Sequence, residues 1–420
     1  MKFSNLSSVM ETGDHFKNGA SLKSLMSRGK IKVSVVFSFI LLGSQLLHSQ
    51  SYTNDLPTID VTNQYYQKEI YMQDVAKVEY IPLETNDKSW MWSYIKIFYM
   101  SEDYIIASNE SDGDIFVYDG KGKRKYSFNH KGQGAEEYIR INSIAFDETA
   151  KEIFVSVWIT DNPEILVYAE NGAYKRTLPC PSNFWPYLYN FDDETLLAYD
   201  VYGIFEMEGY ANRPYLFISK KDGRFTDSLN IYLPVRISNT ARWVGEIDGK
   251  KGNIAQSISI GCNRSLGKNF LIADWSADTI YRLTPQKKLQ PLIVRKPPMQ
   301  STDPKKIVSN YFATDKFMLL GVWGMDYEAM KNNQPLSQRQ IMYDFRTGEV
   351  NVYRLKNGDI SARHEVTLSD AITPENIGVA VYSASYLLDL DKKGELLGDL
   401  KELVKTLDEK EKTVLMKMKF

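Results

Sequence analysis

Histidine and cysteine, which carry much metal and nucleophilic chemistry, are scarce here: four and two of them among 420 residues. Past the leader only His130 and His364 remain, 234 positions apart. No His-Glu-x-x-His or paired-cysteine spacing occurs, so a zinc centre would have to be gathered from scattered ligands. A Gly-x-Ser-x-Gly elbow is missing too, which removes the signature of an α/β-hydrolase nucleophile, although a triad assembled in space stays open. Both histidines read as singletons. Glycoside hydrolysis needs only two carboxylates; with 51 acids past the leader, that condition carries no information. Cys180 and Cys262 could pair only if their Cα atoms came within about 7 Å. Two separately buried thiols are the simpler reading.

Charge of one sign is lacking as well. The formal net charge is −2. Past residue 50 the chain carries 45 basic and 51 acidic residues, which argues against a nucleic-acid partner, since that needs a concentrated positive footprint. Long apolar runs are confined to one place. Arg28, Lys30 and Lys32 precede Val33–Leu47, an apolar run followed by small polar residues. That order is the layout of a secretory signal peptide, and the run is too short and interrupted to span a bilayer. Residues 1–50 are therefore read as a leader, with 26–50 the functional signal and cleavage near Ser49 or Gln50. The mature chain shows no membrane span, and export to periplasm, cell surface or medium is expected.

What is plentiful is strand chemistry. Aromatics reach 13%, with 27 tyrosines, and flat rings suit a pleated, half-buried surface. A pattern also returns: an apolar strand, a turn, then a strand ending in an aromatic pair followed by a turn glycine. Its clearest copies are Tyr104–Gly120 and Ile153–Gly172. The anchoring aromatics Tyr118, Tyr168, Phe217, Tyr281 and Tyr343 stand 50, 49, 64 and 62 residues apart. Repeats of about 40–50 residues, each holding several short strands, are the signature of propeller blades.

The expected fold is all-β: a six-bladed β-propeller over 75–420, with an irregular lead-in over 51–74. Five strand groups cover 94–129, 141–178, 187–233, 254–294 and 311–355. Insertions fall around 203–213 and 324–337. The sixth group is composite, pairing 75–83 with strands near 378–384 and 413–420, so that both ends of the mature chain close the ring and leave no open edge. Seven blades stay open, because 241–252 and 354–366 are unassigned. Leu396, Leu397, Leu400, Leu403, Val404 and Leu407 follow helical spacing and predict one amphipathic helix of about four turns, inserted in the last blade.

Tyr80-Ile-Pro-Leu-Glu-Thr85 resembles the opening strand of the exported six-bladed β-propeller proteins of unknown function abundant in Bacteroidota. Gly132-Gln-Gly-Ala-Glu-Glu-Tyr138, followed by Ile141–Asp147, resembles their Gly-x-Gly-x-x-Glu-Tyr turn and next strand. Thr413–Phe420 is similar to their closing strand. The resemblance covers about 55–420, and Ala135 stands where the family pattern usually has Pro. The same turn is similar to the broader NHL-repeat pattern. Gly132 and Gly134 are expected to supply positive φ between blades.

Candidate chemistry is positional. Aligned blades put Trp158, Trp275 and Trp323 just past the second strand, on the face that carries the Gly132–Tyr138 turn. That face would gather the indoles with Glu136, Glu137, Tyr138, Tyr202 and Asp274. Indoles stack on sugar C–H groups while carboxylates accept hydroxyl hydrogen bonds. Against this, each Trp could be ordinary packing between blades. Asn109–Asp114 lacks the alternating ligands of a calcium loop and reads as a strand-joining turn. No catalytic or metal-ligating residue is assigned and no cofactor is expected, with calcium in the central channel left open. The expectation is a monomeric, non-catalytic binding or scaffold protein for a glycan or envelope partner. The alternative is a propeller lyase or hydrolase using a channel metal ion and carboxylates.

Overall fold

The computed structural model describes residues 56–85 and 95–420, apart from 111, 158–162, 182–183, 201–212, 232, 234, 238–239, 248–249, 258–262, 362–363, 375 and 408–412. Six sheets form the blades of a propeller. The first blade runs Lys96–Met100, Tyr104–Asn109, Asp114–Asp119 and Arg124–Asn129, from the innermost strand outward. The second runs Ile141–Asp147, Glu152–Val157, Glu164–Ala169 and Tyr174–Pro179. The third runs Tyr187–Asn190, Thr195–Tyr199, Tyr215–Ser219 and Phe225–Ser228. All three are antiparallel meanders.

The fourth blade holds Arg264–Leu266, Asn269–Ile272, Thr279–Leu283 and Leu289–Lys296. The fifth holds Lys305–Ala313, Phe317–Met325, Gln338–Asp344 and Val350–Lys356. Each carries an extra outermost strand. Thr58–Asp60 runs parallel to Leu289–Lys296, and Gln67–Tyr71 parallel to Val350–Lys356. The stretch expected to be irregular is therefore a strap across two blade edges. Ile59 and Val61 are buried against the fourth and fifth blades, whereas Gln67–Tyr71 is mostly exposed, so edge pairing by backbone leaves too short an apolar pattern to read.

The sixth blade is the composite one expected. Ile377–Ser383 pairs with Thr413–Lys419, which pairs with Lys77–Pro82. Its innermost strand shrinks to a single bridge, Leu368 to Ala380. Residues 241–252, left unassigned by the sequence, belong to a hairpin of Thr240–Ile247 and Lys250–Ser257, so the fourth blade begins at Arg264 and not at 254. The four-turn helix predicted over Leu396–Leu407 is shorter, Gly398–Val404, and an unpredicted helix, Ala384–Lys392, precedes it. Gly394 and Gly398, at φ 71 and 53, interrupt what apolar spacing alone would continue. Leu400 and Val404 are buried by the second helix, while Leu397 precedes it and stays exposed. No helix among the described residues is long and apolar enough to cross a membrane.

The repeat has a geometric cause. Tyr118, Tyr168, Phe217, Tyr281 and Tyr343 all lie on the third strand of their blades. In the first four blades the pairing of third and fourth strands slips at or beside this aromatic. Such a bulge increases local twist, which a blade needs to splay outward. Apolar clusters fill the wedges between blades: Ile106, Phe146 and Tyr168 between the first two, and Phe154, Leu196 and Ile218 between the next. Ile97, Ile105, Val379 and Leu415 seal the sixth against the first.

Candidate functional site

One wedge is incompletely filled. Between the fifth and sixth blades Phe312, Leu319, Tyr353, Leu355, Val366, Leu368, Met416 and Met418 pack together. Beside them opens a cavity of about 720 Å³, bordered by Ile95–Ile97 and Glu110 of the first blade. Its size lies within the range of small-molecule sites. Two features hollow it. The sixth blade supplies only the strand remnant 366–370 as its inner wall. On the fifth blade, Gly321 sits in mid-strand between Ser309 and Gln340. A Cβ there would meet Tyr311 Cε2 at 2.5 Å, Ser309 Oγ at 2.8 Å and Trp323 Nε1 at 2.9 Å. Glycine within a strand marks such close approach, and here it lets two aromatic rings lie along the sheet.

Trp323 Nε1 donates to Ser309 Oγ at 3.2 Å. Gln338 Nε2 donates to Tyr311 Oη at 2.8 Å. Burial, helped by the nearby Asp370 carboxylate, holds the Tyr311 phenol above its ordinary pKa and hence neutral. The side-chain amide of Gln340, two residues from Gln338 on the same strand face, has no hydrogen-bond partner among the described residues. Opposite, Asp370 binds Arg264 Nη2 through Oδ1 at 2.7 Å, and its second oxygen stays available. Lys96 Nζ pairs with Glu110 Oε1 at 3.1 Å. Burial disfavours that ammonium, yet Glu110, together with Tyr187 and Asp370, outweighs it and keeps the Lys96 pKa above its ordinary value. The cleft thus joins three aromatic rings, Tyr311, Trp323 and Tyr353, to amides and carboxylates with spare capacity.

Arg264 also ties blades together. It donates to Tyr311 O at 2.9 Å and to Asn263 O at 3.1 Å besides its grip on Asp370. A guanidinium thus supplies positive charge beside the channel carboxylate Asp370. Among the described residues no three His, Cys, Asp or Glu side chains gather as a metal site would require. The Asn109–Asp114 segment is a strand-joining turn, with Gly113 at φ 84 and its N–H on Asn109 O at 2.8 Å.

Among the described residues, the two indoles of the expected cluster do not share one exposed surface. Trp323 faces the cleft. Trp275 is 3% exposed and belongs to the apolar core of the third, fourth and fifth blades. The alignment misjudged strand length: Trp323 lies inside a nine-residue strand, whereas Trp275 follows a four-residue one. Asp274 is buried, accepting from Tyr199 Oη at 3.0 Å and from Arg236 Nη2 at 3.2 Å. Trp158 and Tyr202 lie outside the described residues.

Glu136, Glu137 and Tyr138 fasten the first blade to the second. Tyr138 is fully buried and donates to Gly113 O at 2.6 Å. The Glu136 carbonyl accepts from Tyr168 Oη at 2.7 Å, and the Glu137 carboxylate accepts the Gly134 N–H at 2.8 Å. Gly132 is needed for space and not for positive φ: a Cβ there would stand 1.9 Å from Glu137 Oε2. Tyr311, Gln338, Gln340 and Asp370 were missed from sequence. The available signal was Gly-Val-Trp-Gly over 321–324, two glycines framing an indole within a strand.

The profile of a domain of unknown function, DUF4934, matches residues 56–419. A candidate exported protein of Bacteroides fragilis has a similar solved structure, with TM-score 0.58 and 15% identity, covering 84% of this chain and 98% of that one. A DUF4221 family member from Bacteroides vulgatus gives 0.44 and 10%, covering 82% and 97%. Virginiamycin B lyase of Staphylococcus aureus gives 0.38 and 9%, covering 82% and 99%. Identities this low speak of fold alone. No curated protein matches the sequence.

Proposed function

The chain belongs to the DUF4934 family, and from that premise we propose that it is an exported, non-catalytic binding protein whose cleft between the fifth and sixth blades holds a glycan. The observation that carries this reading is the pairing of Trp323 and Tyr311 with Gln338, Gln340 and Asp370 around about 720 Å³. A sugar ring offers an apolar C–H face and a rim of hydroxyls, so it needs an aromatic wall beside planar hydrogen-bonding groups. The two acids at the cleft are engaged, Glu110 by Lys96 and Asp370 by Arg264. Neither stands as the unpaired proton carrier that hydrolysis requires. The basic-then-apolar leader supports export, as does the fold likeness to an exported Bacteroides protein.

The test is a glycan array probed with the mature protein, followed by calorimetry on any hit. Trp323→Ala and Gln340→Ala should each weaken binding by about tenfold or more, equivalent to about 1.4 kcal/mol, with melting temperatures close to the parent's. Binding that both variants retain at full strength would overturn the reading.

A further inference from the structure

The cleft does not end at the strand remnant of the sixth blade. Antiparallel strands return alternately to the two faces of a propeller, so the ends of the second strands open on one face. Asn109 marks that end in the first blade, Met325 in the fifth and Ser383 in the sixth. Glu110, Trp323 and Gln338 bring the cleft to this face.

On the same face lies a second hollow of about 330 Å³, between residues 364–367 and the stretch from Ala380 into the helix Ala384–Lys392. The two hollows share Thr367 and Val381 as wall residues. The Leu368–Ala380 bridge sets these two side by side. Both are exposed, Val381 by 37%, so what separates the hollows is a low ridge open to solvent.

The second hollow repeats the chemistry of the first. The rings of His364 and Tyr386 meet edge to face at 5.6 Å, and Tyr386 stacks on Tyr382 at 6.2 Å. Both tyrosines are held in place. Tyr382 Oη accepts from Asn357 Nδ2 at 3.3 Å, and the Tyr386 N–H donates to the helix-capping Ser383 Oγ at 3.2 Å. The Tyr386 hydroxyl, the His364 ring nitrogens and the Thr367 hydroxyl have no hydrogen-bond partner among the described residues. Glu365, the one carboxylate among the described lining residues, is met by Arg354 at 3.3 Å.

We propose that cleft and hollow form one groove for a linear oligosaccharide of several rings, running from Trp323 across the Thr367–Val381 ridge to Tyr386. Resting on the glycan reading of the cleft, this groove adds the length of the ligand. A single sugar on Trp323 leaves the ridge and Tyr386 to water. A chain that continues covers both, and each further ring brings its own C–H face and hydroxyls. Covalent linkage makes the second contact intramolecular, so affinity rises with chain length.

The probes are ladders of one to six rings from cello-, laminari-, manno- and xylo-oligosaccharides, titrated calorimetrically into the mature protein. In a series that binds, affinity should climb with length and then level off. Tyr386→Ala and His364→Ala should each weaken the six-ring member by about tenfold and leave the shortest binding member at the parent's affinity. Trp323→Ala should weaken every member. Melting temperatures near the parent's would report that the fold survives. Affinity independent of length, or six-ring binding retained in both Tyr386→Ala and His364→Ala, would overturn the groove while the glycan reading stands. So would a single-ring or branched array hit with no ladder bound. No glycan hit of any kind would overturn both.

Discussion

Tyr311 lies so close over Gly321 that a single added carbon on the glycine would stand 2.5 Å from the ring edge. The contact fixes the floor of the cleft, because the same carbon would also press on Ser309 Oγ and Trp323 Nε1. Gly321→Ala must displace one ring or the other. Overpacking of this kind costs about 1–3 kcal/mol, and urea denaturation should show the loss. The tryptophan emission of the folded protein should shift as Trp323 moves.

The two described indoles of the aligned set should behave in opposite ways. Trp275→Ala leaves a hole in a closed core and should cost about 3–5 kcal/mol. Trp323→Ala removes a half-buried ring from a cleft wall and should cost less than about 1.5 kcal/mol. Equal losses in a denaturant series would contradict the placement of these side chains.

Asp147 and Lys220 join the second blade to the third at 2.5 Å, and their side chains are only 4% and 6% exposed. The ammonium also donates to Asp192 O at 2.5 Å. Removing one partner from a buried pair strands the other charge, so Lys220→Met should destabilise by about 3–5 kcal/mol. Asp147→Leu combined with Lys220→Met should recover part of that loss, as a double-mutant cycle would show.

Acid should loosen the second blade through Glu152. Arg176 grips this carboxylate at 2.9 and 2.7 Å, with Lys175 alongside. Against the opposing effect of burial, they hold the Glu152 carboxyl near a pKa of about 2, below its usual 4.5. The folded chain therefore keeps the group ionised where the unfolded chain has already taken up a proton. The stabilisation is complete above pH of about 5 and fades between about 4.5 and 2, as linkage requires. Solvent at the partly exposed Arg176 and Lys175 trims it to about 2 kcal/mol. Melting temperature against pH should fall over this window in the parent and fall less steeply in Glu152→Gln.

The blades were legible because their signal is local. An aromatic on the third strand of each of the first five blades, with turn glycines such as Gly172 at φ 87, recurs within a span the eye can align. The strap was not legible: Gln67-Lys-Glu-Ile-Tyr71 pairs with its neighbour by backbone in parallel register and keeps its side chains mostly exposed. The cleft was half legible. Sequence offered Trp323, but Tyr311, Gln340 and Asp370 meet only because a blade of reduced inner strand stands beside one with a glycine at its centre. Such a meeting depends on which sheet faces which, and spacing along the chain does not record it. The glycine-rich turn misled for a related reason. Its acids looked outward in the sequence, whereas Glu137 folds back onto Gly134 and Tyr138 points inward.

The sixth blade sets the order of events during biogenesis. Pro82 waits for Val414, and Lys77 for Lys419, so a seam more than 330 residues in span must form before the disc is sealed. Such distant partners meet slowly. A chain whose last strand is not yet available therefore stays open and unlatched, and the ring closes only when both ends are present.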